Sequence, residues 1–571
     1  MKAPNSAKET TKFVHIMKKF VFDRKEVTFR SILIGLLFGA ILACSNVYLA
    51  MKVGAFNPGS IPGAILGSGI LHSLGSKALI FETNIIQTVT SAGANFSGAF
   101  FDSIPVAASF GNMPGYFSLF LYLAFGGMIG ISLTVLFRRY LIVEEKLAYP
   151  SGIAVANTLE VVSKGKEASR KMKILFAGLL VSSCIVLLQS QIFKGILPWS
   201  VDLAPFLPNG LMFGVALSPL LIGFGYMMGM KSALGYFIGN ALSGLVLGPM
   251  LYSRGVVDEL AWAPIAKVLA SPASGLLIGG TLLAMLINYK SILRAFGTLS
   301  KIKGTSDVSE EEDSSDVDLP VSVPFMIILL GTFLLSFFFG EYAPVITFPF
   351  IALGAFFFGL VAARTTGETG LCPTSLFVWI AMALIGTFVT KNPAIIAFLA
   401  GIIAVSVGQA ADSMNDLKTG YLIKATPASQ QMVQYIGLLG GALAAPLAFT
   451  AIVKAYGIFN EQFPVPFGMV AKEIVTSVSQ GVNPFDTVTL GIGLASGGIL
   501  SVFSLPALPI GLGMFAPVTF GITVLAGGLM RKAIAAKGER PEDDGIAFFS
   551  GMLAGEGIMG VLIAAIVAFL L

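Results

Sequence analysis

Asn84, Gln87, Ser91 and Asn95 recur at helical spacing in a glycine-bearing polar run that opens at Glu82, and Asp102 falls near the same face further along. The flanking chain reads as membrane, where hydrocarbon penalises every unpaired polar group. This stripe must therefore turn toward other helices or toward a water-filled path. Interhelical hydrogen bonding would account for the amides and hydroxyls, whereas carboxyls at both ends of the stripe favour a cavity that binds a polar solute. Gly93 and Gly98 would allow close backbone approach or a break in the helix, and the freed amides of a break can hold a substrate carboxylate.

A second constellation runs from Gln409 to Tyr421, directly after an apolar stretch. Asp412 and Asp416 stand one helical turn apart, with Asn415 beside them and Lys418 following. Two readings stay open. The acids either cap a solvated helix end, as loop charges often do, or form a partly buried pair that carries protons. Glu368 echoes Glu82 in the second half of the chain, and Glu556 lies between Gly555 and Gly557 inside the last apolar run. An acid within hydrocarbon points to function, so Glu556 joins Asp412 and Asp416 as a proton-coupling candidate. Glu82, Asn84, Gln87, Ser91, Asn95, Asp102, Glu368 and Tyr421 are the substrate-binding candidates.

The elements that must hold these groups follow from composition. Of 571 residues, 55% are hydrophobic and 12% charged, against about 25% charged in soluble chains. The chain is an all-α polytopic membrane protein. A net charge of +5 over this length is no nucleic-acid footprint. Cys44, Cys184 and Cys372 are isolated, without metal or disulfide spacing. Only two histidines occur and His15 lies in the polar tail, so neither a haem pair nor a bare metal site is expected. The sequence lacks G-x-x-x-x-G-K-[ST], H-E-x-x-H and a G-x-S-x-G elbow with a partner histidine, which argues against an enzyme and against any cofactor.

Apolar stretches long enough to span about 30 Å of hydrocarbon recur about sixteen times. They divide into a tail over 1–28, a first repeat over 29–290, an acidic linker over 291–322 and a second repeat over 323–571. Four echoes cross the linker in order: Glu82-Thr83 with Glu368-Thr369, Tyr140-Leu141-Ile142 with Tyr421-Leu422-Ile423, Leu234-Gly235 with Leu512-Gly513, and Ser274-Gly275 with Ser550-Gly551. Eight spans per half would set the halves the same way up, as two parallel repeats. The basic tail and the basic loops near Arg138 and Lys290 place both termini in the cytoplasm of a plasma membrane. The loop with Arg531, Lys532, Lys537 and Arg540 disagrees: either it is an exception or a span within 487–530 is re-entrant.

The run Glu82 to Gly93, the stretch Arg138 to Gly152 and Asp416-Leu-Lys-Thr-Gly-Tyr-Leu422 with Thr426-Pro427 resemble the oligopeptide transporter family, most closely its yellow-stripe-like and prokaryotic branch. Asn57-Pro58-Gly59 resembles a motif of the peptide-carrying branch, whose companion K-I-P-P-R is absent. The resemblance implies secondary active uptake, usually with protons, of short peptides or amino-acid-derived metal chelates. The partners expected are that substrate, protons and the lipid bilayer, and a homo-oligomer is compatible with the reading. A passive channel for small polar solutes is the alternative.

Overall fold

The computed structural model describes residues 26–74, 80–96, 98–111, 113–163, 166–206, 211–287, 289–290, 317–339, 344–370, 372–481 and 486–570. Lys2 to Lys25 of the tail, the linker over 291–316 and Glu341 lie outside the described residues.

The first half contains α1 (Phe29–Val53), α2 (Ser60–Ser73), α3 (Ile80–Ala94), α4 (Ile104–Ser109), α5 (Tyr116–Arg138), α6 (Pro150–Val162), α7 (Lys166–Gln189), α8 (Pro219–Ala241), α9 (Gly248–Ser253) and α10 (Trp262–Ile287). The second contains α11 (Ser322–Phe339), α12 (Pro344–Thr369), α13 (Thr374–Phe388), α14 (Pro393–Ile423), α15 (Pro427–Tyr456), α16 (Pro466–Gln480), α17 (Thr487–Val502), α18 (Ala507–Phe515), α19 (Phe520–Ala535) and α20 (Glu539–Phe569). Strands among the described residues are confined to the short antiparallel pair β1 (Ser200–Asp202) and β2 (Gly214–Ala216).

Helix ends follow local rules. Thr28 and Ser31 form a reciprocal capping box at the start of α1, and Gly54 closes it in the left-handed region at φ +67°. Asn392 caps α14, with Pro393 in its first turn, where a missing N–H is harmless.

Among the described residues, ten helices are long and apolar enough to cross a membrane by length and composition, fewer than the sixteen or so spans expected. The shortfall has a geometric cause. At about 1.5 Å per residue, α2 with 14 residues and α3 with 15 cannot traverse the hydrocarbon. α14 is the central helix: 94% of its most apolar window is buried inside the protein. Gln409, Ser413 and Asp416 of α14 are accordingly buried, whereas Asp412 keeps partial exposure.

The segment 508–530, expected as one span, is two helices. Pro506, just before α18, packs on Gly235 and Ile510 of α18 on Gly239, so α18 rises with the second arm of α8. α19 runs against that arm, Gly521 lying on Asn240 and Gly528 on Ala233, and so doubles back on α18. α8 itself reverses at Gly229, φ +76°, where a side chain would be strained; residues on both arms reach α19, Gly225 meeting Val524. The hairpin returns the basic loop after α19 to the end of the bundle that carries the 166–173 segment. There Asp544 pairs with Arg170 at 2.6 Å, Asp543 with Lys171 at 3.1 Å and Arg540 with Glu167 at 3.2 Å.

Gly557 and Gly560 of α20 lie against Ser45 and Tyr48 of α1 in the same order, so the two helices run side by side in one direction. The first residues of both share one end of the bundle and their last residues share the other.

Candidate functional site

The polar stripe sits on a broken helix. α3 ends at Ala94, and the chain resumes as a π-helical turn over Ala99–Ser103 that leads into α4. A helix that stops inside protein leaves carbonyls without partners, and here two side-chain amides supply them. Gln409 Nε2 donates to the Ala92 and Asn95 carbonyls at 2.9 and 3.0 Å, and Asn46 Nδ2 donates to the Ala94 carbonyl at 3.0 Å. In return Asn95 Nδ2 donates to the Gly408 carbonyl on α14 at 3.1 Å. Asn46 also grips the turn before α2, exchanging bonds of 3.1 and 2.9 Å with the Asn57 backbone.

Glycines bring the helices close enough for this. Gly93 and Gly441 meet backbone to backbone between α3 and α15, and a methyl group on Gly441 would fall 1.7 Å from the Gly93 carbonyl oxygen.

Along the seam between α3 and α14 the two constellations merge. Ser91 Oγ donates to Asp412 Oδ2 at 2.9 Å, and Ser60 Oγ, the first residue of α2, lies 3.0 Å from Asp416 Oδ1 and 3.0 Å from Ser91 Oγ. Gln430 of α15 donates to the Thr88 hydroxyl at 3.0 Å and the Asp416 carbonyl at 3.1 Å. Most of the seam is closed, Asn84, Gln87 and Ser91 having no exposed surface and Asp416 retaining 1%, while Asp412 keeps partial exposure. Asn84 Nδ2, Gln87 Oε1, Ser413 Oγ, Asp416 Oδ2 and Gln434 Oε1 are buried without a protein partner, so the seam holds polar capacity that the protein itself does not use.

Asp102 occupies the far end, fully buried in the π-helical turn, where Ser375 Oγ donates to it at 2.8 Å and Trp379 Nε1 at 3.1 Å. Among the described residues, Asp102, Asp412 and Asp416 form no ion pair.

Other candidates lie apart from the seam. Glu82 is clasped by Arg30 through bonds of 2.5 and 2.7 Å and by the Thr28 hydroxyl at 2.5 Å, fastening the start of α3 to the start of α1. Glu368 belongs to a separate cluster in which buried Arg364 bridges Glu368 at 3.0 Å and Glu145 at 2.5 Å. Glu82 opens a helix whereas Glu368 closes one, so the two are not in matching places. Tyr421 is 36% exposed and lies under the Lys418 ammonium at 5.5 Å. Glu556 is held by Lys52 at 2.6 Å, by the Ser218 hydroxyl at 2.8 Å and by the Leu220 amide at 2.9 Å, that is, at the N-terminus of α8.

Sequence reasoning passed over Ser60, Asn46 and Gln430. Asn46 could have been found as an isolated amide in an apolar helix, and Ser60 follows the Asn57-Pro58-Gly59 motif directly. Among the described residues no three His, Cys, Asp or Glu side chains gather in a metal-holding group.

The family model described as "OPT oligopeptide transporter protein" matches residues 26–567. A protein of Haemophilus influenzae named putative oligopeptide transporter is 24% identical over 91% of this chain and 92% of its own. One of Saccharomyces cerevisiae with the same description is 21% identical over 94% of this chain and 95% of its own. A metal-nicotianamine transporter of Arabidopsis thaliana is 22% identical over 88% of this chain and 84% of its own.

Proposed function

The chain belongs to the oligopeptide transporter family, and from that premise we propose that it is a proton-coupled secondary carrier. Its cargo is a short oligopeptide or an amino-acid-derived metal chelate, as the names of its relatives suggest. It works in the plasma membrane by alternating access between two repeat halves.

One observation carries the coupling: Asp416 stands buried and Asp412 partly buried on the central helix, each meeting a serine hydroxyl and neither a cationic partner among the described residues. Burying a carboxylate without a countercharge is heavily penalised, so either a proton or a cationic group of the cargo must neutralise it. Competition between those two couples cargo to proton. The unpartnered polar atoms of Asn84, Gln87, Ser413 and Gln434 offer donors and acceptors to a zwitterion, with Asn95 and Asp102 further along the same seam.

Packing between the halves supports the repeat reading. Gly275 and Gly279 of α10 lie on the backbone of α17 near Leu490 and Leu494, and their echoes Gly551 and Gly555 of α20 lie on α7 at Leu175 and Leu179. α5, which leads into the echoed Tyr140, and α14, which carries the echoed Tyr421 near its end, pack in the same direction through Gly126 on Val405 and Gly130 on Ser406.

Uptake of labelled peptides and chelates into proteoliposomes, with and without an imposed pH gradient, tests the proposal. Gradient-driven accumulation that Asp412→Asn or Asp416→Asn abolishes is the expected result. Accumulation indifferent to the gradient removes the coupling, and flux that does not saturate favours a channel.

A further inference from the structure

We infer that Ser60 and Ser91 join Asp412 and Asp416 into a single protonation site in which the two carboxyls share one proton. The inference rests on the carrier reading above and names the group that would hold its coupling proton.

The argument is a count of hydrogens. The chain Asp416 Oδ1, Ser60 Oγ, Ser91 Oγ, Asp412 Oδ2 has three oxygen-to-oxygen contacts of 3.0, 3.0 and 2.9 Å. Every such contact needs one hydrogen, and a serine hydroxyl has one to give. Two hydroxyls satisfy two contacts. The third hydrogen must sit on a carboxyl, because no other group in the chain carries one. With that proton on Asp412, the acid donates to Ser91, Ser91 to Ser60 and Ser60 to Asp416; with it on Asp416, every donation reverses. Moving the proton between the acids therefore takes one hydrogen hop across each of the three contacts, which reverses every donation, and no charge has to cross an apolar gap.

Among the described residues, the site stands clear of other charges. On the elements packed around α14, Arg364 of α12 pairs with Glu368 and Glu145, and Arg138 of α5 pairs with Asp318 at 2.5 Å. Glu82 of α3 pairs with Arg30, and Asp102 in the π-helical turn meets only Ser375 and Trp379. Lys418 of α14 turns its ammonium to the Leu147 carbonyl at 2.7 Å, and Lys454 of α15 lies over Phe569. Lys472 of α16 lies over Phe459, with Glu473 its neighbour in the chain. Cys372, before α13, lies 3.0 Å from the Thr374 hydroxyl, and α6 contributes Glu160, which is exposed.

Ser60 is the decisive residue because it lies on α2 while both acids lie on α14. A movement of the short helices α2 and α3 against α14 breaks the shared-proton chain and leaves each acid to its own surroundings. Access and protonation are thereby linked.

The test is pH-titrated infrared difference spectroscopy of the purified full chain, following the protonated-carboxyl stretch, with Asp102→Asn as background so that Asp102 does not contribute. The expected result is one carboxyl band lost in both Asp412→Asn and Asp416→Asn. Its midpoint should move by half a pH unit or more in Ser60→Ala and return in Ser60→Thr, which restores the hydroxyl. Ser91→Ala, which removes the other bridge, should shift the same band if Ser60→Ala fails to fold. A band that neither serine variant moves, or two independent bands, overturns the inference. The readout needs no cargo, so failure of gradient-driven uptake in the parent chain would count against the carrier reading and leave this result standing on its own.

Discussion

Lys52 Nζ lies 2.6 Å from Glu556 Oε1 with both side chains buried, tying α1 to α20 across 504 residues of chain. The ammonium also lies 5.3 Å from the centre of the Tyr48 ring and 5.5 Å from that of Trp199. The Ser218 hydroxyl and the Leu220 amide complete the carboxylate. A pair so fully engaged has the form of a structural joint.

Breaking that joint from one side leaves an uncompensated buried charge, which typically costs about 3–5 kcal/mol. Lys52→Met should lower the melting temperature in detergent sharply, and Lys52→Met with Glu556→Gln should recover a large part of the loss. Thermal unfolding of the three variants measures this. Gradient-driven uptake per folded Glu556→Gln molecule should persist, and its disappearance would return Glu556 to the coupling machinery.

Glu82→Gln removes the charge that Arg30 clasps with two bonds. Arg30 is nearly half exposed, so solvent can take over part of its hydration, and the destabilisation should stay within about 1–3 kcal/mol. Cargo binding, measured by equilibrium dialysis separately from uptake, should hold within a few-fold. A hundredfold loss of binding with an unchanged melting temperature would place Glu82 in the cargo path.

Gly441→Ala would push a methyl group into the Gly93 carbonyl, an atom of rigid backbone. Overpacking of this kind costs about 1–3 kcal/mol or more, and it acts where α15 supports the broken helix. Reduced yield of folded protein on size-exclusion chromatography is expected. Gly111→Ala serves as a control for space: its Cβ would meet nothing within 4 Å, although its φ of +83° adds local strain.

Gln409→Leu removes both donors from the Ala92 and Asn95 carbonyls and leaves them buried without those partners. The cost is about 1–3 kcal/mol for each orphaned acceptor, concentrated at the break between α3 and the π-helical turn. Uptake should fall at least tenfold in protein that still folds, as measured by initial rates in proteoliposomes. Full activity would show that the geometry of the break is immaterial to transport.

Asp412 and Asp416 were legible as a pair because a one-turn spacing puts two side chains on one face whatever the surroundings. The stripe from Asn84 to Asn95 was legible for the same reason, and even a helix break there could be anticipated from Gly93 and Gly98. The all-helical membrane character followed from composition, since so apolar a chain cannot hide its surface in a globular core. What lay outside periodicity were the partners: Ser60 comes to the acids from more than 350 positions away, and Arg30 claims Glu82 from 52.

Local sequence determines which side chains share a helix face and which segments prefer hydrocarbon, because both depend on neighbours a few residues apart. It does not determine whether an apolar run crosses or folds back, and 508–530 shows why. That choice turns on whether a facing backbone, here both arms of α8 around Gly229, can accept a hairpin. Nor does it determine which buried acids receive a cation. Glu82 and Glu556 gained Arg30 and Lys52, while Asp412 and Asp416 gained only hydroxyls and amides, and only the packing of helices distant in sequence decided between those outcomes.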